Sequence, residues 1–586
     1  MPQHLPMTTE DLIHSGYIRN LSDFNPESQY LDIIIISGDA YVDHPSFGAA
    51  LIGRWLESLG YTVGIIAQPD WKNTSSVKSL GRPGLFAAVS SGNLDSMLHH
   101  YTAAGKLRHD DPYTPGGKHG LRPNRAVIAY TSLVKSAWKD ICVVIGGTES
   151  TCRRIAHYDY WSDSVRGSVL PDSKADILVY GNAESQLSGI AAAARRFGGD
   201  KRLIIKECSD LAGICIMESE AGPGDVLPSL EECRNSKTDF IKAFNLFYAN
   251  QNPWMGKTLW QLHDKRFLKH NKPALPQSEE TLDKIYSLPF TRKAHPSYKE
   301  KIPALETVKW SVQTHRGCFG GCNFCSIYIT QGGTIQSRSS ASIISEVKDL
   351  ANSADFHGTV TDLGGPSANM YGLYCKIDGK KNGCRKVSCL TPEICSHLYC
   401  DHSHMVKLYQ SVQNIPKVKH VFIGSGLRYD LAMEDEKYME ILCQNHVSGI
   451  LKIAPEHVDD NVLRLMNKPS NSKFRKFLKL FKKYKKKEQF LVPYIMSSHP
   501  GSDYAAMQKT VDFLRGEGLT SEQAQDFIPL PLTVSSVMFH TGINPLTGES
   551  VFVEKTPKGK LQQRYLLVPE KNHGKKVRPS GRHRTR

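Results

Sequence analysis

Between Leu31 and Ala67 the chain switches from one hydrophobic period to another and back, which restricts its fold severely. Leu31 to Ser37 is an apolar run of strand length. Leu51, Ile52, Trp55, Leu56 and Leu59 then recur at helical spacing until Gly60, and Tyr61 to Ala67 is strand-like again. Strand, helix and strand of these lengths close as a parallel βαβ unit, because parallel neighbours need a crossover connection. Further strand-like runs, Ala126 to Tyr130, Asp140 to Ile145 and Asp176 to Tyr180, end at Thr131-Ser132, Gly146-Gly147 and Gly181-Asn182, and an alanine-rich helix follows around Ser188 to Arg196. The expected fold of residues 1–235 is α/β, a Rossmann-like domain around a doubly wound sheet.

Prolines at 253, 273, 276, 289 and 296 punctuate residues 236–303, which read as a linker with short helices. From about Leu305 the alternation returns. Strand candidates Val308 to Thr314, Thr359 to Leu363, Val418 to Ile423, Gly449 to Ile453 and Gln489 to Met496 are separated by helical stretches, so residues 304–524 are expected to form a full or partial (βα) barrel. Residues 525–570 are assigned to a short carboxyl-terminal domain, and 571–586 to a basic disordered tail.

The formal charge of +15 is local: Lys473 to Lys487 holds nine Lys/Arg, Lys571 to Arg586 holds seven, and the rest of the chain carries −1. Phe474, Phe477, Leu478 and Phe481 lie at helical spacing among those lysines, which favours a solvated barrel helix over a nucleic-acid surface. Nucleic acid stays a weakly supported partner. No stretch approaches the ~20 apolar residues of a membrane span. Met1 to Tyr17 carries acids and histidines where an export signal would be basic and then apolar, so a cytoplasmic protein is expected, and its 14 cysteines are read as thiols or metal ligands.

The densest chemistry is Cys318-Phe-Gly-Gly-Cys322-Asn-Phe-Cys325, directly after the first strand of the second domain. Three thiolates this close, with Gly317, Gly320 and Gly321 letting the backbone wrap, suit three irons of a [4Fe-4S] cube and leave one iron open to a small molecule. Zinc, or a structural cluster, on the three cysteines with a distant fourth ligand is the alternative. The carboxyl ends of the following strands, where barrel sites lie, carry Gly364-Gly365-Pro366, Gly424 to Arg428, Pro455-Glu456-His457 and His499-Pro500-Gly501-Ser502. Arg428 presents two parallel donors suited to a carboxylate; Arg428 and Glu456 could equally be a surface ion pair. Cys375, Cys384, Cys389, Cys395 and Cys400 form a second group in a loop-like segment, a candidate site for zinc or an auxiliary cluster, with free cysteines in an insertion as the alternative. Cys142, Cys152, Cys208, Cys215, Cys233 and Cys443 are isolated and read as small buried residues.

The triplet, with an aromatic residue before its last cysteine, resembles the signature of radical S-adenosylmethionine (SAM) enzymes. The resemblance implies that SAM chelates the open iron and that one-electron reduction releases a 5′-deoxyadenosyl radical, which abstracts hydrogen from a substrate. It further implies a low-potential electron donor as partner and SAM contacts at Gly364, Gly365, Arg428 and Glu456, with Pro366 standing where many members have Glu. Ser37 to Gly48 (SGDAYVDHPSFG), Asp111 to Gly117 (DPYTPGG), Asp362 to Tyr371 (DLGGPSANMY), Ser388-Cys389-Leu390, and His499-Pro500-Gly501 with Tyr504 narrow it to the YgiQ family of radical SAM proteins. That family implies an amino-terminal α/β domain, a radical SAM core and a short carboxyl-terminal domain, and no substrate.

The amino-terminal domain also resembles the cobalamin-binding module ahead of some radical SAM cores. The D-x-H-x-x-G cobalt-ligating motif is absent, since Asp43-His44 reaches Gly48 at the wrong spacing, but many cobalamin-dependent radical enzymes lack it, so cobalamin stays open as a cofactor. Gly38, Gly146-Gly147 and Gly181 are read as ordinary strand ends rather than a cradle. The leading reading is a radical SAM enzyme acting on an unknown substrate. Cobalamin-dependent methyl transfer and a non-catalytic iron–sulfur electron relay or scaffold are the competing ones.

Overall fold

The computed structural model describes residues 3–520 and 523–568. Nine strands of the first half form one sheet: β1 (Ile33–Ser37), β2 (Val63–Ala67), β3 (Phe86–Ser90), β4 (Cys142–Gly146), β5 (Ile177–Val179), β6 (Ile214–Glu218), β7 (Asp225–Leu227), β8 (Leu259–His263) and β9 (Arg266–His270). Their order is β2-β1-β3-β4-β5-β6-β9-β8-β7, and β1 to β5 run parallel, from Ile33 beside Val63 and Phe86 onward. Strand β1 is buried throughout, and apolar from Ile33 to Ile36, because both sheet faces are covered. Ile34 and Ile36 enter one core with Tyr130 and Val134, while Ile33 and Ile35 enter the other with Leu56 and Ile190.

Three expectations need correction. Ala126 to Tyr130 is not a strand but the first part of helix Ala126–Ala137, whose buried Ala126, Val127, Tyr130, Thr131, Leu133 and Val134 follow a helical stripe. The strand of that region is β3, a short apolar stretch without the longer pattern that marks its neighbours. The segment 236–303 is more than a linker. It holds helix Lys237–Ala249 and the antiparallel hairpin β8–β9, turned at Asp264 in the left-handed region, and this hairpin extends the first sheet. The prolines flank these elements without entering the strands, as ladder bonding requires. The third correction concerns residue 525, which lies inside a strand, Gln523–Asp526, and so cannot open a new domain.

In the second half, β10 (Ser311–Gln313), β11 (Thr359–Val360), β12 (Asp362–Gly364), β13 (His420–Val421), β14 (Ile450–Glu456), β15 (Phe490–Ser497) and β16 (Gln523–Asp526) make a partial parallel barrel. β10 pairs with β12, β11 with β13, β14 with β15 and β15 with β16, and a Leu427–Ile453 bridge ties the segment after β13 to β14. Helix Asn471–Tyr484 buries Phe474, Phe477, Leu478 and Phe481, while Lys473, Lys482 and Lys483 pair with Glu393, Glu517 and Glu436. The basic run is therefore the solvated face of a barrel helix.

Among the described residues, those after β16 do not build a separate core. Phe527, Leu532, Val534, Val537, Met538 and Phe539 pack into the core of the first sheet, and helix Pro557–Leu567 returns to the barrel, where Gln563 Oε1 accepts from Ser498 N at 2.9 Å. The basic tail lies outside the described residues. Among those that are described, no helix is long and apolar enough to cross a membrane.

Burial also sets how the fold responds to acid. His157, His457 and His499 are almost fully buried, and desolvation pulls their pKa values to about 3, 4 and 3, against an ordinary 6.5. The unfolded chain takes up protons that the folded chain refuses, so the stability these groups hold above 6.5 is lost as pH falls from 6.5 towards 4 to 3. By pH 5 the loss should be about 2 kcal/mol for each histidine. Urea unfolding at pH 7.5 and 5.0 checks this, and equal midpoints would contradict it.

Candidate functional site

The cysteine triplet occupies the loop beyond β10. Gly317 turns the chain with φ +82°, and a Cβ there would collide with the carbonyl oxygen of Thr334. A Cβ on Gly320 would lie 3.2 Å from Cys318 Sγ and 3.6 Å from Cys322 Sγ, so both sulfurs gather at this glycine. The Gly320 N–H donates to Cys318 Sγ at 3.3 Å, and the Cys325 N–H to the Cys322 carbonyl at 3.1 Å. Helix Asp460–Met466 clamps the loop: Asn323 Nδ2 donates to Leu465 O at 2.9 Å, and Asn467 Nδ2 to Gly321 O at 2.7 Å.

Burial raises the Cys318 and Cys325 thiols, so a bound metal must displace their protons. Among the described residues no group of three or more His, Cys, Asp or Glu closes around a single ion. A single zinc needs each sulfur about 2.3 Å from one point, whereas a cube takes one thiolate at each of several irons. Cys318 Sγ and Cys322 Sγ stand beside Gly320 as two separate donors, a set that suits the cube.

Arg428, 8% exposed, stands over this loop. Its Nε and Nη2 donate to Asp430 Oδ1 and Oδ2 at 2.8 and 2.5 Å, and its Nη1 reaches Cys322 Sγ at 3.5 Å. Burial opposes the guanidinium charge, yet Asp430 and the cysteines hold its pKa above the ordinary value. The fork expected to clamp a carboxylate is thus taken by Asp430, and Arg428 is no surface partner of Glu456. Sequence reasoning missed Asp430, although an acid two residues beyond Arg428 was the available signal.

Glu456 ends β14 with φ +67°, where burial raises its carboxyl, and it lies within electrostatic reach of Cys325. Gly364 closes β12, its carbonyl accepting Thr314 N at 2.7 Å and Thr314 Oγ1 at 3.1 Å. A Cβ on Gly365 would sit 2.5 Å from the His315 ring, so only glycine lets the chain lie against that imidazole. Asp362 ties two strand ends together by accepting Gly424 N at 2.8 Å and Ser425 N at 3.0 Å.

Four of the second cysteine group, Cys375, Cys384, Cys389 and Cys395, line a cavity of about 480 Å3. Cys400 does not line it: its thiol donates to Leu398 O at 3.6 Å, although it packs with Cys389 and Cys395 on the apolar cluster of Phe319, Leu390 and Leu398. The six isolated cysteines are buried, as expected.

A further cavity, about 470 Å3, opens at the carboxyl ends of β1, β3, β4 and β5. Gly146, Gly147 and Gly181, at the ends of β4 and β5 as expected, line it, whereas Gly38 packs against the Ser91 carbonyl. Its opposite wall holds Gln313, Arg316, Thr330 and Gln331, the residues flanking the cysteine loop, and Arg316 Nη1 bonds Glu184 Oε1 at 2.7 Å across the two halves.

Two known family models meet at the start of the barrel. Residues 5–311 match the family described as Radical SAM N-terminal, and residues 312–514 the Radical SAM superfamily. A UPF0313 protein of Clostridium botulinum (strain 657 / Type Ba4) is 45% identical over 573 residues, 96% of this chain and 87% of the relative. One from Methanocella arvoryzae (strain DSM 22066 / NBRC 105507 / MRE50) is 46% identical over 542 residues, 92% of this chain and 90% of the relative. Among solved structures the chain is similar to TsrM, a radical S-adenosylmethionine methyltransferase from Kitasatospora setae, at 12% identity and TM-score 0.49, covering 86% of this chain and 75% of that one. Sharing close to half its residues with these relatives along nearly its whole length, the chain belongs to the UPF0313, or YgiQ, family of the radical SAM superfamily.

Proposed function

We propose that the protein is a radical SAM enzyme whose Cys318, Cys322 and Cys325 hold a [4Fe-4S] cluster with SAM on its open iron. The observation that carries this reading is the gathering of Cys318 and Cys322 about Gly320, under a buried guanidinium whose free Nη1 points at Cys322 Sγ. When bound, the cluster and SAM supply one-electron cleavage to a carbon radical that takes hydrogen from a substrate. The chain's own residues hold and orient these groups. Arg428, fixed by Asp430, neutralises thiolate charge; the main chain at Gly364-Gly365 and the Glu456 carboxyl are assigned to SAM. Since Gly364 O already accepts twice, Gly365 is the stronger candidate for the SAM amino group.

A second reading, a cobalamin-dependent radical enzyme, is favoured by the 470 Å3 cavity. In open α/β sheets with this 2-1-3-4-5 order, ligands bind beyond the strand carboxyl ends at the β1/β3 switch point, and the cavity lies there, facing the flanks of the cysteine loop. The same space would otherwise take the substrate.

Anaerobic reconstitution with iron and sulfide, reduction with dithionite and addition of SAM test the first reading. Wild type should release 5′-deoxyadenosine slowly and Cys322→Ala should release none. A fully loaded, reducible cluster whose spectrum ignores SAM would instead support electron relay. Corrin absorbance retained through gel filtration after incubation with hydroxocobalamin tests the second reading.

A further inference from the structure

We propose that Cys375, Cys384, Cys389 and Cys395 hold a second, fully cysteine-ligated [4Fe-4S] cluster, in a site separate from the triplet. Their spacings alone leave five candidates and no preferred set. The fold makes the choice by bringing these four to the wall of one cavity and leaving Cys400 out. Two hairpin-like turns achieve this. Tyr374–Cys375 pairs antiparallel with Leu398–Tyr399, and the Cys384 N–H donates to Gly379 O at 2.7 Å, folding the intervening loop back on itself. Gly379 sits beside two of the four: its N–H donates to Cys375 Sγ at 3.3 Å, and a Cβ there would lie 3.4 Å from Cys375 Sγ and 3.9 Å from Cys384 Sγ. On the other side the Cys395 N–H donates to Cys389 O at 2.8 Å.

The surroundings match an anionic cluster. Lys380 lies within electrostatic reach of Cys375, Cys384 and Cys389, and Lys386 Nζ is 3.9 Å from Cys395 Sγ. A cube bound by four thiolates carries net negative charge, which these ammonium groups and the Gly379 N–H offset. The four cysteines share the wall of the 480 Å3 cavity with other residues, Trp254 and Phe319 among them, and none of the four forms the tight C-x2-C pair usual in structural zinc sites. With every iron capped, such a cluster passes electrons but cannot chelate SAM.

The site adjoins the first one. Phe319, next to Cys318, lines the cavity, and its carbonyl accepts the Cys389 N–H at 3.1 Å and the Ser388 hydroxyl at 3.4 Å.

The test is iron and sulfide content with electron paramagnetic resonance, on the full chain reconstituted anaerobically. Wild type should carry about eight irons, and the triplet variant Cys318→Ala/Cys322→Ala/Cys325→Ala about four, in a reducible cluster whose spectrum ignores SAM. The variant Cys384→Ala/Cys389→Ala should keep about four, in a SAM-responsive cluster. Cys400→Ala should lose none. A triplet variant that binds no iron, or binds one zinc instead, overturns the proposal, as does Cys400→Ala losing a cluster. The triplet variant leaves this loop intact, so misfolding of the Cys384/Cys389 variant does not decide the outcome. Failure of the triplet to load SAM-responsive iron would count against the proposed enzyme and leave this site standing.

Discussion

Replacing Asp430 with alanine should cost the metal-free protein about 3–5 kcal/mol, because the bidentate partner of a buried guanidinium is removed and the charge is left uncompensated. Asp430 is 1% exposed and Arg428 8%, so water cannot take over the lost bonds. The double variant Arg428→Met/Asp430→Ala should recover most of the loss, since an apolar replacement of a buried pair is often near neutral. Urea unfolding of the three proteins decides this, and an Asp430→Ala midpoint equal to wild type would refute it. The pair should also tune the cluster. Arg428→Met removes the cation 3.5 Å from Cys322 Sγ and should lower the midpoint potential by on the order of 100 mV. A potential unchanged in that variant would mean that Arg428 serves the fold alone.

The second large effect is expected at Arg122, which is buried without exposure in the first domain. Its Nη1 donates to Asp39 Oδ1 at 2.8 Å and to the Ser91 carbonyl, and its Nη2 to Asp111 Oδ2 at 3.1 Å. Arg122→Met strands two buried carboxylates and should destabilise the protein by about 3–5 kcal/mol. Burial already raises Asp39 to about 6 despite this partner, so its stranded carboxyl will take up a proton readily. The deficit should therefore shrink as pH is lowered towards 6 and level off below it, where wild type takes up the same proton. A loss below about 1 kcal/mol at neutral pH would contradict the argument. The consequence reaches the 470 Å3 cavity, because Asp39 Oδ2 also accepts the Asn93 N–H at 2.7 Å and Asn93 lines that cavity. Arg122→Met should loosen this wall and weaken whatever binds there.

These interactions give physical content to two stretches that mark the family. Asp39 lies in SGDAYVDHPSFG and Asp111 in DPYTPGG, far apart in sequence, and Arg122 joins them. Asp43 of the first stretch takes Arg54 in a second buried pair, with Nε at 3.1 Å and Nη2 at 2.6 Å. A sequence motif shows that such residues occur, but not which distant cation neutralises each of them.

What the sequence by itself determined was local. Helical and alternating periods located β1, β2, β4, β5 and most barrel strands, because a residue's burial leaves its trace in the spacing of its near neighbours. The triplet was legible for the same reason: thiolates and turn-forming glycines lie within one short loop. Ala126 to Tyr130 failed because a short apolar run looks alike in a helix and a strand until its continuation is weighed. Only the tertiary structure decided that β8 and β9 extend the first sheet, that Arg428 turns its fork to Asp430, and that four cysteines of five share a cavity. Each of these depends on which surface a loop or strand edge meets after the chain has closed, and packing between residues distant in sequence sets that direction.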